Sequence, residues 1–470
     1  LDFAGKTPTN VTLTENTFRD GFAAIGSTEN VGELTIKNNT FDNVVEGVGL
    51  GTGVELTADN ISSLINANSF QNIDIETQYA VGDYTGGLSP AKYTTQGNLI
   101  VQSGDSIESA IKHSGDVGVV QVAPGHYDES VTVEVEGISV VSIKGPQQTI
   151  VDGGNQNGFT VFSDNVTIDG FTVTTDSEDR TQNGAISIGK TSDRQKTSVG
   201  NTTIINNFLN DSVVGVLDYG GEGEHQIVGN NFTNTGQGTG FAIHGTAAAG
   251  DNVSISDNNF NTGDNYGIYI GTNSNNWTVH NNTVSGFGYA GLGLSGTTET
   301  VSQNTFSDNG KAIEVFGGES VQINQNTFVD NNEAIVYDNA GQTVDATLNY
   351  WDSVSGPEAG DVSGNVDVNP WLDAPITEGG DRVVAATVVE EQFSTIQSAV
   401  DAAEDGDTIN VHSGQYSENV AIETANVTLT GESNPDINGR IDIRSDEVTV
   451  QDFTVQNGAP SGSSEVEGIF

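Results

Sequence analysis

The stretch Val321-Gln322-Ile323-Asn324-Gln325-Asn326-Thr327-Phe328 contains the pattern that decides the fold of this chain. Its first part alternates apolar and polar side chains, which is typical of a half-buried β-strand. Its second part is an asparagine tag followed by an aromatic residue. The same tag stands 22 residues earlier, as Asn304-Thr305-Phe306. A short strand and an asparagine corner therefore repeat along the sequence.

The tag recurs over most of the chain, and from Phe208 onward its steps are 24, 28, 24, 22 and 22 residues. Repeats of this length indicate a solenoid, a propeller or an array. The tags are Asn16-Thr17-Phe18, Asn38-Asn39-Thr40-Phe41, Asn206-Asn207-Phe208, Asn230-Asn231-Phe232, Asn258-Asn259-Phe260, Asn281-Asn282-Thr283-Val284, Asn304-Thr305-Phe306 and Asn326-Thr327-Phe328. Asparagine-rich low complexity is a poor alternative, because strands such as Val253-Ser254-Ile255 keep step with the tags.

Each repeat is expected to form one coil of two or three short strands, with alternate Val, Ile and Phe pointing inward. Glycine-rich stretches such as residues 266–270 are expected to separate the strands. Asn and Gly suit corners that need left-handed backbone. Stacked coils would place asparagine over asparagine, so that side-chain amides bond along the stack. The predicted fold class is all-β, a parallel β-helix solenoid.

A second pattern occurs twice, at an offset of 289 residues. Residues 107–111 lead to Gly-His-Tyr-Asp-Glu at 125–129, and residues 396–400 lead to Gly-Gln-Tyr-Ser-Glu at 414–418. Each copy begins with a predicted short amphipathic helix, near 106–113 and near 394–403. Such a helix can cover the open end of a solenoid, whose unpaired strand edges would otherwise invite aggregation.

These starts resemble those of pectin-lyase-like right-handed parallel β-helix proteins: a short helix, Asp405-Gly406-Asp407, a strand, then Gly-x-Tyr. The stretch Asn349-Tyr350-Trp351-Asp352, followed by Pro370-Trp371-Leu372, resembles the closing coil of haloarchaeal secreted and cell-surface β-helix proteins. The resemblance covers nearly the whole chain. It implies a right-handed β-helix but leaves function open, because the superfamily includes lyases, hydrolases, phage spikes and passive spacers.

The repeats predict two β-helix modules in tandem. Residues 97–375 form a complete module, 376–382 a linker, and 383–470 the start of a second module. Residues 1–92 are the C-terminal coils of a module without its start. Phe470 followed by Leu1 reads as an ordinary strand, so we expect the second module to continue into residues 1–92 of the next unit. That unit would be a further repeat of a longer chain or a neighbouring chain, and a chance match is the competing explanation.

Composition is extreme, with 64 Asp and Glu against 14 Lys and Arg, for a formal charge of −50. Such self-repulsion is tolerated when salt screens it, which indicates a halophile. The charge argues against a nucleic-acid partner, which requires basic patches. The absence of cysteine excludes disulfides and thiol chemistry. The absence of methionine indicates a processed product or an excised segment. The sequence contains no apolar run of about 18 residues, so it predicts no membrane span.

No catalytic set can be assembled from the sequence. Polysaccharide hydrolysis needs paired carboxylates, and in so acidic a chain accidental pairs are expected. Lyase chemistry needs a basic residue, but residues 197–334 contain only Lys311; Arg194-Gln195-Lys196 stands apart. The histidines are scattered, so no zinc site is indicated. The candidate acids are Asp169, Asp218, Asp251, Asp257, Asp308 and Asp330.

The sequence therefore favours a non-enzymatic protein without an organic cofactor. Calcium is the ion to consider, because acidic and amide clusters offer hard oxygen ligands; solvated acid in a halophile is the competing explanation. The calcium candidates are Asp152, Asp257, Asp330 and Asp361. Asn-x-Ser/Thr sequons are glycosylation candidates, although Asn-Val-Thr also suits a corner followed by a strand. They are Asn10, Asn38, Asn60, Asn165, Asn201, Asn210, Asn231, Asn252, Asn276, Asn281 and Asn426.

Three functions remain open. The leading hypothesis is a structural repeating unit of an extracellular fibre, sheath or cell-surface stalk of a halophilic archaeon, with copies of itself as end-to-end partners. The second is a polysaccharide-acting lyase or hydrolase, or a virus-borne depolymerase. The third is a carbohydrate-binding adhesin that contacts surface polysaccharide. The aromatic residues considered for stacking on sugars are Tyr266, Tyr269, Trp277 and Tyr289, although packing inside the coils explains most of them.

Overall fold

The chain divides into two compact units, Leu1–Ser274 and Asn275–Phe470. The computed structural model describes residues 11–456 apart from residues 22, 28–33, 51–57, 75–77, 84–90, 95, 115–117, 179–182, 190, 193–194, 197–198, 220–222, 247–248, 273, 318–319, 338–341, 354, 370, 373, 376–382, 387–394, 404, 412–413 and 432–434. The predicted linker at 376–382 and both chain ends lie outside this range. The predicted module boundaries therefore stay predictions.

The first unit is built almost entirely from strands of three to five residues. Its strands are β1 (Val11–Thr14), β2 (Thr17–Arg19), β3 (Ala23–Ser27), β4 (Leu34–Lys37), β5 (Thr40–Asp42), β6 (Glu46–Leu50), β7 (Ser69–Gln71), β8 (Tyr79–Asp83), β9 (Ala91–Tyr93), β10 (Leu99–Val101), β11 (Val119–Val122), β12 (Gly125–Asp128), β13 (Val131–Val133), β14 (Ser139–Ser142), β15 (Thr149–Asp152), β16 (Phe159–Val161), β17 (Thr167–Asp169), β18 (Thr172–Thr174), β19 (Ile186–Ile188), β20 (Thr191–Ser192), β21 (Gln195–Lys196), β22 (Thr203–Ile205), β23 (Phe208–Asn210), β24 (Val214–Asp218), β25 (Gln226–Val228), β26 (Asn231–Thr233), β27 (Phe241–Gly245), β28 (Ser254–Ser256), β29 (Asn259–Gly263) and β30 (Tyr266–Ile270). Its helices are α1 (Ala58–Asn66) and α2 (Ile107–Lys112).

From β11 onward, successive coils of this unit add one strand to each of three parallel sheets. The first sheet runs β11-β14-β17-β22-β25-β28, the second β12-β15-β18-β23-β26-β29 and the third β13-β16-β19-β24-β27-β30. In the first sheet Ile168, Ile204, Ile227 and Ile255 stand in register, and each is at most 1% exposed. Stacked β-branched side chains bury their apolar surface against the same residue of the next coil, which is the main stabilising term. The parallel β-helix is confirmed.

One reversal interrupts this pattern near residue 91. Strand β9 pairs antiparallel with both β8 and β10, whereas β10 pairs parallel with β11. The first sheet therefore continues from the coils before residue 84 into those after residue 97. Lys92 lies on this strand and pairs with Asp105 at 2.6 Å. The sequence did not predict an antiparallel link here.

The second unit uses the same architecture. Its elements are β31 (Trp277–His280), β32 (Thr283–Phe287), β33 (Ala290–Leu294), β34 (Thr298–Ser302), β35 (Thr305–Ser307), β36 (Lys311–Val315), β37 (Ser320–Asn324), β38 (Thr327–Val329), β39 (Glu333–Tyr337), β40 (Val344–Asp345), β41 (Val362–Ser363), β42 (Val366–Asp367), β43 (Val383–Ala386), α3 (Ile396–Ala402), β44 (Thr408–Val411), β45 (Gln415–Tyr416), β46 (Val420–Ile422), β47 (Thr428–Gly431), β48 (Asp436–Asn438), β49 (Ile441–Ile443), β50 (Thr449–Gln451) and β51 (Thr454–Gln456). Strands β31 to β42 form one set of three parallel sheets, and β43 to β51 form another.

One asparagine of each tag joins a ladder along the stack, and it is buried in most coils. In the first unit, the side-chain amide of Asn230 donates to Asn258 Oδ1 at 3.0 Å, and the backbone N–H of Asn230 donates to the same oxygen at 2.8 Å. Asn304 makes the same pair of bonds to Asn326 in the second unit. The ladder members are Asn16, Asn39, Asn68, Asn207, Asn230, Asn258, Asn282, Asn304, Asn326 and Asn349. The prediction that asparagine stacks over asparagine is confirmed.

The residue before every ladder asparagine except Asn68 turns the corner with left-handed backbone. Asn38, Asp257 and Gln325 have φ of 57°, 58° and 61°. Asn and Asp tolerate this conformation better than other residues with a side chain, since their short polar groups bond locally. The corner geometry therefore accounts for the abundance of Asn.

The glycine-rich stretch at residues 266–270 is itself strand β30, which corrects the expectation that such stretches only separate strands. The small residues have a packing role. A Cβ added to Gly215 of the third sheet would lie 2.9 Å from the ring of Phe232. Phe232 stacks on Phe260 with ring centroids 4.5 Å apart. Glycine on one wall thus leaves room for an aromatic stack on another.

The two predicted start helices are present, and they begin in the same way. The N-cap side chain of Ser106 accepts a hydrogen bond from the backbone N–H of Ser109, and Thr395 does the same for Ser398. A glutamate that follows the Gly-x-Tyr motif completes each cap. Glu129 accepts from the backbone N–H of Ile107 at 2.6 Å. At the same offset of 289 residues, Glu418 accepts from Ile396 and Gln397 at 2.9 and 3.0 Å.

Each helix also covers the first strand of its third sheet. Gln397 of α3 donates from its amide to the carbonyl of Ala421 at 3.1 Å and accepts from the N–H of Ala421 at 2.6 Å. Glu108 of α2 accepts from the N–H of Thr132 at 3.4 Å. These side chains replace the missing preceding strand at the sheet edge, where unpaired backbone groups would otherwise invite aggregation.

Replacing Glu129 with glutamine is expected to lower the free energy of unfolding by about 1–2 kcal/mol, because the carboxylate both accepts from the first N–H of α2, that of Ile107, and complements the positive end of the helix. Glu134→Gln, an exposed change of equal charge, should have little effect. Chemical denaturation at fixed salt measures both. Equal losses in the two variants would mean that the charge, and not the cap, matters.

Helix α1 was not anticipated. Ile61 and Ile65, one helical turn apart, are 2% and 5% exposed, and this spacing was the signal that could have revealed it. Among the described residues, no helix is long and apolar enough to cross a bilayer.

Candidate functional site

Three of the six candidate catalytic acids occupy corners. Asp257, Asp308 and Asp330 have φ of 58°, 57° and 52°, so left-handed backbone accounts for their residue type. Asp169 ends β17 and accepts from the side chain of Asn206 at 3.1 Å. Asp251 lies in a bend before β28. These positions come from turn geometry, and nothing in them singles out an acid and base pair.

Asp218 is different, because it is 1% exposed. Its Oδ1 lies 3.9 Å from Nε2 of His225, which is fully buried. The backbone N–H of Thr202 donates to Nδ1 of His225 at 3.2 Å, which assigns the ring proton to Nε2, on the side of Asp218. The sequence did not predict this histidine–aspartate pair, since the two residues lie on either side of a corner. Its depth makes it a structural pair, because a polymer could not reach it.

The basic residues needed for lyase chemistry are not placed for it. Lys311 contacts Glu314, which is 2% exposed, and its ammonium lies 4.7 Å from the ring centroid of Tyr289. Desolvation lowers the pKa of Lys311, but hydrogen bonding and attraction from Glu314 outweigh it, so the net pKa is raised. A lysine held protonated is a poor proton acceptor. Lys196 lies in the short hairpin of β20 and β21, and Arg194 lies outside the described residues.

One predicted calcium ligand, Asp152, lies beside two residues that were not predicted with it. His126 Nε2 is 3.4 Å from Asp128 Oδ1 on β12, and Asp128 stands in register with Asp152 on β15. Among the described residues, one ligand atom from each of these three lies within 4.8 Å of the others. The sequence feature that could have revealed this group is two polar residues on one face of a strand, His126 and Asp128, with an acid at the paired position one coil later. The group could hold a divalent cation, although Asp152 already accepts from Gly154.

Two other calcium candidates, Asp330 and Asp361, line one cavity of about 200 Å³ in the second unit, together with Asp352 and Glu358. Phe328 and Trp351 form its aromatic wall, with ring centroids 4.9 Å apart. In the described structure, no three of these four carboxylates place ligand oxygens within 4.8 Å of one another, the spacing at which they could share an ion. The cavity is an acidic pocket with an aromatic wall. Asp257, the fourth candidate, belongs to a corner of the first unit.

An aromatic patch covers part of the third sheet in the first unit. We define it as Phe241 and His244 of β27 with Tyr266 and Tyr269 of β30. Phe241 lies over His244 at 4.2 Å between ring centroids and 5.5 Å from Tyr269. Tyr269 meets Tyr266 edge to face at 5.2 Å. All but Tyr266 are half-buried, so each offers part of a ring to solvent. Trp277, which was considered with the surface aromatics, is fully buried.

The sequons fall mainly at exposed corners. Seven of the candidate asparagines are exposed and have positive φ: Asn38, Asn165, Asn201, Asn252, Asn276, Asn281 and Asn426. Asn210 and Asn231 are half-buried on strands, Asn60 is in α1, and Asn10 lies outside the described residues. Corner geometry explains the residue type at the seven positions, and exposure leaves them accessible to modification.

Comparison with known proteins bears on the fold. The family model described as a right handed beta helix region matches residues 184–350. No curated protein matches the chain. Similar solved structures include a mutant form of the PL6 family alginate lyase AlyGC, at 12% identity and a TM-score of 0.33, covering 77% of this chain and 72% of that one. The A-module of mannuronan C-5 epimerase AlgE4 from Azotobacter vinelandii gives 11% identity and a TM-score of 0.28, covering 75% and 94%.

Similarity at that level carries no information on substrate or chemistry. The family match covers the coils in which the asparagine ladders and the aromatic stacks are most regular. By sequence and by structure, residues 184–350 are a right-handed parallel β-helix region.

Proposed function

We propose that this chain is a structural unit of an extracellular fibre, sheath or cell-surface stalk of a halophilic archaeon. The observation that carries the proposal is the start device built twice in one chain. Ser106, Glu108 and Glu129 of the first copy correspond to Thr395, Gln397 and Glu418 of the second. A solenoid that restarts along one chain lends itself to extension by repetition, which a single catalytic domain does not need.

The interior supports the same proposal. Buried ladders and aromatic stacks fill the coils. Three of the six candidate catalytic acids occupy corners, and Lys311 is held in a local ion pair with Glu314. The proposed partner is therefore another copy of the chain, in end-to-end contact.

Electron microscopy of the purified chain in molar KCl tests this proposal. Rods that lengthen end to end as concentration rises are expected. Isolated particles at every concentration, together with intact-mass measurements showing no longer parent chain, would contradict it. Release of reducing or unsaturated sugars from polysaccharide at molar salt would favour an enzyme instead.

A second role, as a carbohydrate-binding adhesin, is favoured by the aromatic patch. Aromatic faces pack against the apolar faces of sugar rings, and a formal charge of −50 repels acidic polymers. The ligand we propose is therefore a neutral polysaccharide of the cell surface.

Changing both Phe241 and Tyr269 to alanine is expected to weaken the binding of a soluble neutral glucan roughly tenfold in isothermal titration calorimetry at molar salt, equivalent to about 1.4 kcal/mol. The matched control is Phe316→Ala, which removes an aromatic residue that is 39% exposed and lies outside the patch. Equal affinity of both variants and the unmodified chain for the glucan would remove the adhesin role.

A further inference from the structure

Three side chains of metal-ligating type meet on the outer face of the second sheet in the first unit. His126 and Asp128 flank Tyr127, which is 4% exposed and points inward, so both face outward. On the next coil, Asp152 follows the fully buried Val151 and faces the same way, in register with Asp128. One ligand atom from each of the three lies within 4.8 Å of the others. The side chains that would hold an ion therefore project from one face of one sheet.

The atoms that these side chains offer are suited to coordination. Nε2 of His126 faces the Asp128 carboxylate, 3.4 Å from its Oδ1. Oδ1 of Asp152 accepts from the backbone N–H of Gly154 at 2.9 Å, which orients that carboxylate and leaves its other oxygen for an ion. Ligating carboxylates are normally held by such a hydrogen bond. The group therefore provides one imidazole nitrogen and two carboxylates, one of them already oriented.

The second copy of the start pattern shows that the fold does not require these residues. The register of β45 with β48 matches that of β12 with β15. The three equivalent positions in the second copy are all uncharged: Gln415, Ser417 and Asn438. Strand β48 does carry an acid, Asp436, but at the position of Ile150. The general acidity of the chain therefore does not account for a histidine and two paired acids at this one place.

The donor set selects the class of ion. Calcium takes about six to eight oxygen ligands, whereas imidazole suits zinc, copper, nickel and iron. The carboxylates of Asp128 and Asp152 carry the two negative charges that a divalent ion neutralises. Zinc sites that keep an open position have three protein ligands and water. The side chains of His126 and Asp128 are 57% and 82% exposed, so water has access to the remaining positions.

We propose that His126, Asp128 and Asp152 form a surface site for a divalent transition-metal ion, zinc in the first place, with water completing the coordination. The ion bridges two successive coils, because β12 provides two ligands and β15 the third. It also offsets the repulsion between two carboxylates that stand side by side. This inference goes beyond the proposed structural role and does not depend on it.

Isothermal titration of the full chain with zinc chloride tests the site, in molar potassium chloride with magnesium chloride in excess. Magnesium prefers oxygen ligands, so it competes for the carboxylates that attract any divalent ion to an acidic chain. One zinc ion per chain is expected to stay bound. Removing an outer-shell partner of a metal site costs roughly 10–100-fold in affinity, so His126→Gln, which removes a ligand, should weaken zinc binding at least about tenfold.

The variants His126→Gln, Asp128→Ser and Asp152→Asn each insert the residue that the second copy carries at the same position, so each suits the fold. All three should weaken zinc binding. The matched control is Asp308→Asn, which removes one carboxylate at a left-handed corner and should leave zinc binding unchanged. Zinc binding that survives His126→Gln, an equal loss in Asp308→Asn, or no zinc binding in excess magnesium overturns the proposal.

Crystals of the full chain soaked in zinc chloride provide a second readout that does not depend on any variant. Diffraction at the zinc absorption edge should show a peak about 2.0–2.1 Å from Nε2 of His126, beside the two carboxylates. Zinc found only at other positions would overturn the site.

Discussion

On transfer from molar salt into dilute buffer, we expect this chain to unfold or aggregate. Its 64 acidic residues face only 14 lysines and arginines, and several of the described cations are already held in local pairs such as Lys311–Glu314 and Arg444–Glu423. The Debye length is about 3 Å at 1 M salt and about 30 Å at 0.01 M. Dilution therefore lets carboxylates on successive coils repel one another along the stack.

Circular dichroism against salt concentration measures this effect, and potassium, sodium and choline chloride should all restore structure where sucrose does not.

Replacing Asp308, Asp330 and Asp452 with asparagine should move the transition to lower salt. All three have positive φ, where asparagine is equally suited, so the variant removes charge without altering the corner. Asn426→Asp, at a corner of the same kind, should move it upward. The halophilic interpretation would be contradicted if the salt concentration of the transition stayed the same in these variants, or if the chain were fully stable in dilute buffer.

The fold was predictable because its repeat has a physical cause at each step. A left-handed corner selects Asn or Asp, the next asparagine enters the ladder, and the aromatic residue after it enters a stack. Each of these choices leaves a mark on the sequence at a fixed offset. The start helices were predictable for the same reason, since Ile107 and Ile396 begin equivalent patterns.

The candidate sites were less accessible, because they depend on which coils become neighbours. Asp152 was predicted as a cation ligand, but its neighbours His126 and Asp128 come from the preceding coil. Asp218 and His225 meet across a corner. Sequence periodicity assigns a face to a side chain, whereas coil lengths, which vary here, decide what lies beside it.

Replacing the ladder residue Asn258 with alanine is expected to cost about 3–5 kcal/mol of unfolding free energy. Asn258 Oδ1 accepts from the backbone N–H and the side-chain amide of Asn230. Its own amide donates to the carbonyls of Ile227 and Ser256 at 2.7 and 2.8 Å. Alanine removes all four bonds and leaves the buried backbone N–H of Asn230 without its acceptor, which is costlier than removing an exposed bond.

The matched control is the next residue. Asn259→Ala changes an exposed position on β29 and should stay within about 0.5 kcal/mol of the unmodified chain. Denaturant unfolding at fixed molar salt compares the two variants, and similar losses would mean that the ladder adds little beyond ordinary packing.

Hydrogen exchange shows how far the damage spreads. Solenoid stability is a sum of coil and nearest-neighbour terms, so protection should fall first at the backbone N–H of Asn230, which loses its acceptor, and then in the adjoining coils. Loss confined to that amide would make the ladder a local bond. Loss over several coils would make it the element that holds the stack in register, and a long structural rod needs the second behaviour.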